Sequence, residues 1–103
     1  MSKVLRLFWK DENGENYNIG ELSVEGNKYY FQYNGVEVRK ALNEGFILLE
    51  GFPMINSKYF REELFKLFRG WIGEVSDKEE DMLQNLKNLA NDKFYFLGEE
   101  HIS

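Results

Sequence analysis

The sequence predicts an α+β fold in which a small antiparallel β-sheet, a meander, is followed by two to three helices packed on one face. Two observations carry this prediction. The first third of the chain alternates apolar and polar residues between turn signals, whereas the second half repeats apolar residues at helical spacing. No repeat, low-complexity tract or linker-like composition divides the chain, so residues 1–98 are predicted to form one domain and 99–103 a tail.

Period-two alternation predicts the strands of this sheet. They cover 4–9, 17–24 and 28–33. A hairpin is predicted around Asn13-Gly14, a dipeptide that favours the tight turns joining antiparallel strands. Gly20, inside the second strand, indicates a bulge or a close backbone approach. Two further segments, 46–49 and 94–97, are predicted to be short strands or extended segments.

Apolar periodicity and capping signals predict the helices. The predicted helices are 36–43, one from an Asn56-Ser57 N-cap to an end between Gly70 and Gly73, and one from a Ser76–Glu79 capping box to about Asn91. In the middle helix the core-facing residues are predicted to be Phe60, Leu64, Leu67, Phe68 and Trp71. In the last helix they are Met82, Leu83, Leu86, Leu89 and Ala90.

Composition excludes several classes of protein. With 17% aromatic residues, the 103-residue chain can build a core unaided, and the lack of cysteine removes disulfides and thiolate metal sites. The net charge of -5 argues against a general binder of nucleic-acid backbones, which needs clustered Lys and Arg. No apolar run approaches the ~20 residues of a membrane span. We therefore expect a cytoplasmic protein without membrane or nucleic-acid contacts.

No residue pattern typical of an enzyme is present. The one histidine, His101, lies near the C-terminal end, where a histidine is far more often solvated than catalytic. The acidic stretch 11–15 lacks the spacing of a calcium loop and is interpreted as a turn, and 77–81 as the solvated start of a helix. We expect no catalytic residue, no metal and no cofactor. Tyr29, Phe31 and Tyr33 could stack bases, but packing against helices explains them more simply.

Several short motifs occur in a recognisable order. They are IGEL (19–22), FQY (31–33), Phe52-Pro53 and LFRGWIGE (67–74). This order resembles the N-terminal subdomain of the HipA family of bacterial serine/threonine kinase toxins. The motifs GEL, GF and YFREELF (59–65) are also similar to the segment that precedes HIRAN domains in some bacterial proteins. The chain departs from the HipA pattern at Gly73, which replaces a proline at the helix end.

The HipA resemblance implies a function without phosphotransfer, because no kinase body follows in this sequence. It implies the free-standing small subunit of a split HipA-type system, which binds and restrains the kinase. In that group a tryptophan near the end of this helix can contact the kinase. Trp71 occupies a comparable place here, and we predict Phe68, Trp71 and Ile72 as partner-binding residues, of which Trp71 suits an interface anchor. Whether the Trp71 indole faces the core or a partner stays open at this point.

Three hypotheses about function result. The first is a non-enzymatic, antitoxin-like module that binds and restrains a partner protein, with a HipA-type kinase as its implied partner. The second is an acidic inhibitor, for example a phage protein, that blocks a nucleic-acid-handling or defence protein with a continuous face of carboxylates. The third is a fragment that binds single-stranded nucleic acid, which the charge of the chain disfavours.

Overall fold

The computed structural model describes residues 3–73, 78–89 and 91–98, and it confirms the α+β class. In chain order the elements are β1 (Lys3–Lys10), β2 (Asn16–Glu25), β3 (Lys28–Tyr33), α1 (Gly35–Asn43), β4 (Lys58–Arg61), α2 (Lys66–Ile72), α3 (Glu79–Lys87) and β5 (Phe94–Gly98). The described strands form one antiparallel sheet in the order β4-β3-β2-β1-β5. The predicted meander is therefore its centre, and β4 and β5 are its edges.

The hairpin between β1 and β2 is built on Asp11, as the acidic turn signal predicted. One carboxylate oxygen of Asp11 accepts the backbone N–H groups of Asn13 (2.8 Å) and Glu15 (2.9 Å). Gly14 takes a φ of +83° and donates its N–H to the Asp11 carbonyl at 3.1 Å. Residues with positive φ are disfavoured unless they are glycine, which explains Gly14 in this turn.

Gly20 confirms both predictions made for it. The strand register shifts between Leu7, which is opposite Gly20, and Phe8, which is opposite Asn18, so Ile19 is the extra residue of a β-bulge. A Cβ atom at Gly20 would lie 2.6 Å from Cζ of Phe31, which is closer than two non-bonded carbon atoms can approach. The absence of a side chain at Gly20 thus allows the Phe31 ring to lie across β2.

The core lies on one face of the sheet, toward which every second residue of each central strand points. Leu5, Leu7 and Trp9 of β1 are buried, and so is Phe31 of β3. The Phe31 ring contacts Phe52 of the loop before β4 (4.6 Å between centroids) and Phe68 of α2 (5.6 Å). Buried residues of the three described helices belong to the same core; they are Val38, Ala41, Phe68, Met82, Leu83 and Leu86.

The predicted helix start at Asn56-Ser57 is wrong. The chain instead forms β4, which pairs with β3, and α2 begins only at Lys66. Helical spacing of apolar residues was the signal, but the free edge of β3 offers backbone hydrogen bonds to a segment rich in Tyr and Phe, which favour strands. Phe60, predicted in the core, is 41% exposed and packs on Tyr30 of the outer face.

The remaining elements follow the predictions closely. Asn34 caps α1 by accepting the Glu37 N–H at 3.2 Å, and 94–97 forms β5. The segment 46–49 has no regular secondary structure and lies outside the sheet. The last helix, α3, begins at Glu79, with Lys78 at the N-cap position, and ends at Lys87, before the predicted end near Asn91, so Leu89 lies beyond it. Ser76, predicted as its cap, lies outside the described residues, as do Ala90 and the tail at 99–103.

Within the described ranges, the helices are all too short or too polar to cross a lipid bilayer.

Replacing Gly20 with Ala is expected to lower the free energy of unfolding by about 2–3 kcal/mol, because the new methyl group overlaps the fully buried Phe31 ring. The midpoint of urea denaturation measures the change. Gly70→Ala is the matched control: no atom lies within 4 Å of its Cβ position in α2, so a gain of up to about 1 kcal/mol is expected. A Gly20→Ala variant as stable as the parent chain would contradict this packing.

Candidate functional site

An apolar groove lies between α2, the loop at 50–52 and β4. Its volume is about 400 Å³. The residues that line it are Glu50, Gly51, Phe52, Arg61, Phe65, Lys66, Leu67, Gly70 and Trp71. We call it the α2 groove. Three aromatic rings and one leucine form its apolar surface, and the three charged residues give it polar margins, a composition typical of binding sites.

The floor of the α2 groove is continuous with the protein core. Phe52 is buried, and its ring contacts Phe65 at 5.0 Å and stacks on Phe68 at 5.6 Å. Phe65 is also buried and contacts Phe68 edge to face at 6.1 Å. Because these rings are held by neighbours on several sides, the groove exists in the free protein and requires no rearrangement to form.

The two glycines around Trp71 have different roles. Gly73 ends α2 in the left-handed conformation, with a φ of +67° and its N–H donated to the Arg69 carbonyl, so the predicted helix end is confirmed. Gly70 lies inside α2, is exposed, and lines the groove with open space where a side chain would stand. The absence of a side chain at Gly70 therefore contributes to the depth of the groove.

Trp71 has contacts on both sides. Its indole stacks on Phe94 of β5, with centroids 4.8 Å apart and planes 30° apart, and it meets Phe68 at 5.2 Å. It is nevertheless only half-buried, and it lines the α2 groove. The indole thus packs against the core and is also partly open to the groove.

The other two predicted partner-binding residues lie elsewhere. Phe68 is 0% exposed and packs beneath Trp71, where it positions the indole without facing the groove. Ile72 is half-buried, packs against the core, and does not line the groove. Of the three residues, the structure places only Trp71 on the groove surface.

A buried tyrosine holds the loop that forms one wall of the groove. The hydroxyl of Tyr33 donates to the Phe52 carbonyl at 2.7 Å and accepts the Leu49 N–H at 2.9 Å. Burial raises the pKa of Tyr33 to about 12, although the Leu49 N–H acts in the opposite direction. The loop from 49 to 52 is therefore fixed to β3 by a group that stays protonated at physiological pH.

Two cations flank the apolar floor. Arg61 donates to the Phe60 carbonyl at 2.8 Å, and its guanidinium lies 6.0 Å from the Phe65 ring centroid. Lys66 is exposed at the start of α2. Within the part of the chain that the structure describes, neither side chain forms an ion pair, and Glu50 supplies the one carboxylate of the lining. The groove thus has a locally positive margin in a protein of net charge -5.

A group of carboxylates lies at the hairpin end of the sheet. Tyr17 donates its hydroxyl to Asp11 at 3.2 Å. Burial raises the pKa of Tyr17, and so do the hydrogen bond to Asp11 and the negative charges of Asp11, Glu44 and Glu15. Carboxylates from the β1–β2 turn and from the end of α1 therefore act on the same ring.

Other candidate sites from the sequence find no support in the packing. Tyr29, Phe31 and Tyr33 are buried in the core, so they offer no platform for stacking bases. Among the described residues, no group of three or more His, Asp or Glu side chains is arranged to hold a metal ion. His101 lies outside the described residues.

Sequence reasoning found Trp71 but missed most of the groove around it. Arg61 was assigned to a helix, and Phe52 was noted only as part of a motif. Their convergence depends on β4 pairing with β3 and on the Tyr33 hydrogen bonds, which connect residues distant in sequence. Gly70, a glycine inside an aromatic helix, was the one local signal of an opening.

Comparison with known proteins identifies no relative: no protein-family model, no curated protein and no solved structure matches this chain. The resemblance to the HipA subdomain therefore rests on its short motifs. The IGEL motif contains the bulge at Ile19 and the close approach at Gly20, both of which have a structural explanation within this fold.

Replacing Tyr33 with Phe is expected to lower the free energy of unfolding by about 1–3 kcal/mol at pH 7, because the Leu49 N–H and the Phe52 carbonyl lose their buried partner. The pH dependence should change as well. A folded-state pKa of about 12, above the ordinary 10.0, stabilises the fold fully below pH 10, and this contribution is lost as the pH rises toward 12.

Urea denaturation at pH 7, 10 and 12 measures both effects, since the Tyr33→Phe variant should lose less stability than the parent chain over the alkaline interval. Tyr30→Phe, on the outer face of β3, is the matched control and should behave as the parent does. Equal alkaline slopes in the parent and in Tyr33→Phe would contradict the role assigned to this hydroxyl.

Proposed function

We propose that the chain is a non-enzymatic protein-binding module that binds and restrains a partner protein in the manner of an antitoxin, through the α2 groove. The motif resemblance makes a HipA-type kinase the first partner to test. The observation that carries the proposal is the groove itself, which combines an apolar floor, a half-exposed indole at Trp71 and two cations at its margin.

The chemistry of the groove favours an apolar segment that carries a carboxylate. Rings and aliphatic groups on the floor gain free energy by excluding water from a partner's side chains, and tryptophan is enriched among the residues that dominate interface energies. Arg61 and Lys66 form no internal ion pair among the described residues, so both are available to an incoming acid. A cationic segment would instead meet like charge, which disfavours it.

The rigidity of the groove also supports binding. Its floor is part of the aromatic core, and the Tyr33 hydroxyl fixes its loop wall. A preformed surface loses little conformational freedom when a partner binds, so more of the contact energy remains as affinity. A volume of about 400 Å³ has room for a few side chains of a partner, in agreement with recognition of a short segment.

Gly70→Gln is the sharpest test of the groove. Glutamine favours helix over glycine, and its side chain enters the open space beside Trp71. The variant should therefore be at least as stable as the parent while its affinity for the partner falls tenfold or more, about 1.4 kcal/mol. Thermal denaturation and calorimetric titration give the two quantities. Asn43→Gln, on an exposed position of α1, is the matched control and should bind normally.

Charge reversal tests the chemistry of the partner. The double variant Arg61→Glu/Lys66→Glu should lose binding by tenfold or more, because carboxylates would then face the acids of the partner. Lys58→Glu is the control on the same strand, since Lys58 lies over the Tyr30 ring on the opposite face of β4. Equal affinity of the parent and the double variant would show that the cations of the groove do not contact the partner.

The identity of the partner needs a separate measurement. A HipA-type kinase is titrated with the parent protein and with Gly70→Gln, and autophosphorylation of the kinase is recorded. Inhibition by the parent but not by the variant is the expected result. A kinase that is neither bound nor inhibited would remove the HipA assignment, and a different partner captured by the parent but not by Gly70→Gln would retain the groove.

The carboxylates around Tyr17 favour the second candidate function, an acidic inhibitor of a nucleic-acid-handling protein. Glu15 and Glu44 act on one ring at an end of the sheet and are both exposed, so they could enter a basic cleft together, whereas Asp11 is buried in the turn. In that case Glu15→Lys/Glu44→Lys abolishes the interaction, and affinity falls steeply with salt. If the chain is an acidic inhibitor, Gly70→Gln leaves the affinity for the partner unchanged. The two candidate functions therefore predict opposite effects of these variants on binding.

A further inference from the structure

The outer edge of β5 carries backbone groups that point away from the sheet. Lys10 donates its N–H to the Lys93 carbonyl at 2.9 Å, so that carbonyl points toward β1. In a trans peptide the next N–H points the opposite way, and the Phe94 N–H indeed faces the Asn91 side chain at 3.2 Å. Alternation along the strand then directs the N–H and carbonyl groups of Phe96 and Gly98 to the free edge.

The two edges of the sheet differ in how they are protected. The edge strand β4 is only four residues long, and it begins and ends with the charged residues Lys58 and Arg61. Both features discourage pairing with another chain. In contrast, β5 reads FYFLG, without charge or proline, and Leu97 on its outer face is 51% exposed. An apolar edge strand of this kind is a template for a further strand.

The sequence of β5 is complementary to itself in the antiparallel sense. With Phe96 on a twofold axis, its outward N–H and carbonyl groups pair with those of Phe96 in a second copy. Tyr95 then lies opposite Leu97 of the second copy, which forms an apolar cross-strand pair on the outer face. Phe94 lies opposite Gly98, whose Cβ position is covered by the flexible end of the Lys87 side chain.

We propose that β5 pairs with β5 of a second copy of this chain about a twofold axis at Phe96, which joins two sheets into one continuous antiparallel sheet. A single short strand buries less than the ~1,000 Å² of a stable interface. The dimer is therefore weak and forms at micromolar or higher concentration. The surface is distinct from the α2 groove, so this inference does not depend on the proposed function.

Sedimentation equilibrium of the full chain over a wide concentration range tests the proposal. The mass should rise from 12.3 kDa toward twice that value as the concentration increases. Hydrogen exchange gives the residue-level readout: the Phe96 amide should be protected at high concentration and should exchange faster on dilution. A mass of one chain throughout, or a Phe96 amide that exchanges equally fast at every concentration, would overturn the proposal.

Two variants locate the interface. Gly98→Pro removes an outward N–H that forms no bond to β1, and a Cβ atom at this position would lie 2.9 Å from Cε of the flexible Lys87 side chain and 3.8 Å from Cδ2 of Leu5. Leu97→Glu places a carboxylate opposite Tyr95 of the second copy, yet beside Arg6 in its own sheet. Both should be monomeric, whereas Phe60→Glu on the β4 edge should still dimerise. A dimer that persists in Leu97→Glu with a melting temperature like that of the parent would exclude β5 as the interface.

Discussion

The packing of the Phe31 ring against Gly20 is the contact on which the rest of the fold depends. Phe31 is fully buried at the centre of the sheet, and its ring lies across β2 because Gly20 has no Cβ. On the other side the same ring contacts Phe52 and Phe68, which bring the loop before β4 and helix α2 onto the sheet. The absence of a side chain at Gly20 thus determines how closely the aromatic rings pack on the sheet.

This aromatic layer connects the stability of the fold with its candidate site. The rings of Phe52 and Phe65 belong to the core and also form the floor of the α2 groove. A surface built in this way is rigid, because moving it would disturb packing that holds the whole domain together. The margins of the groove do not take part in this packing. Arg61, Lys66 and Gly70 are exposed and can be replaced with little effect on the core. Affinity and specificity therefore reside in separate residues.

The sequence predicted local features well and long-range convergence poorly. The Asn13-Gly14 hairpin, the bulge near Gly20 and the end of α2 at Gly73 each follow from the conformational preferences of one or two residues. The segment from 57 to 65 was assigned to a helix because its apolar residues repeat at helical spacing, but the free edge of β3 decided its conformation. The α2 groove needs that strand, the Tyr33 hydroxyl and α2 together, so periodicity alone could not predict it.

The position of Trp71 has a spectroscopic consequence. Trp9, the other tryptophan, is 6% exposed in the core, whereas the half-buried indole of Trp71 lies between the α2 groove and the Phe94 ring of β5. Intrinsic fluorescence of the native chain therefore contains one component shielded from solvent quenchers and one that is open to them. Any molecule that covers the groove should shift and protect only the second component. Trp71 is therefore an intrinsic fluorescent probe of the surface where a partner is expected to bind.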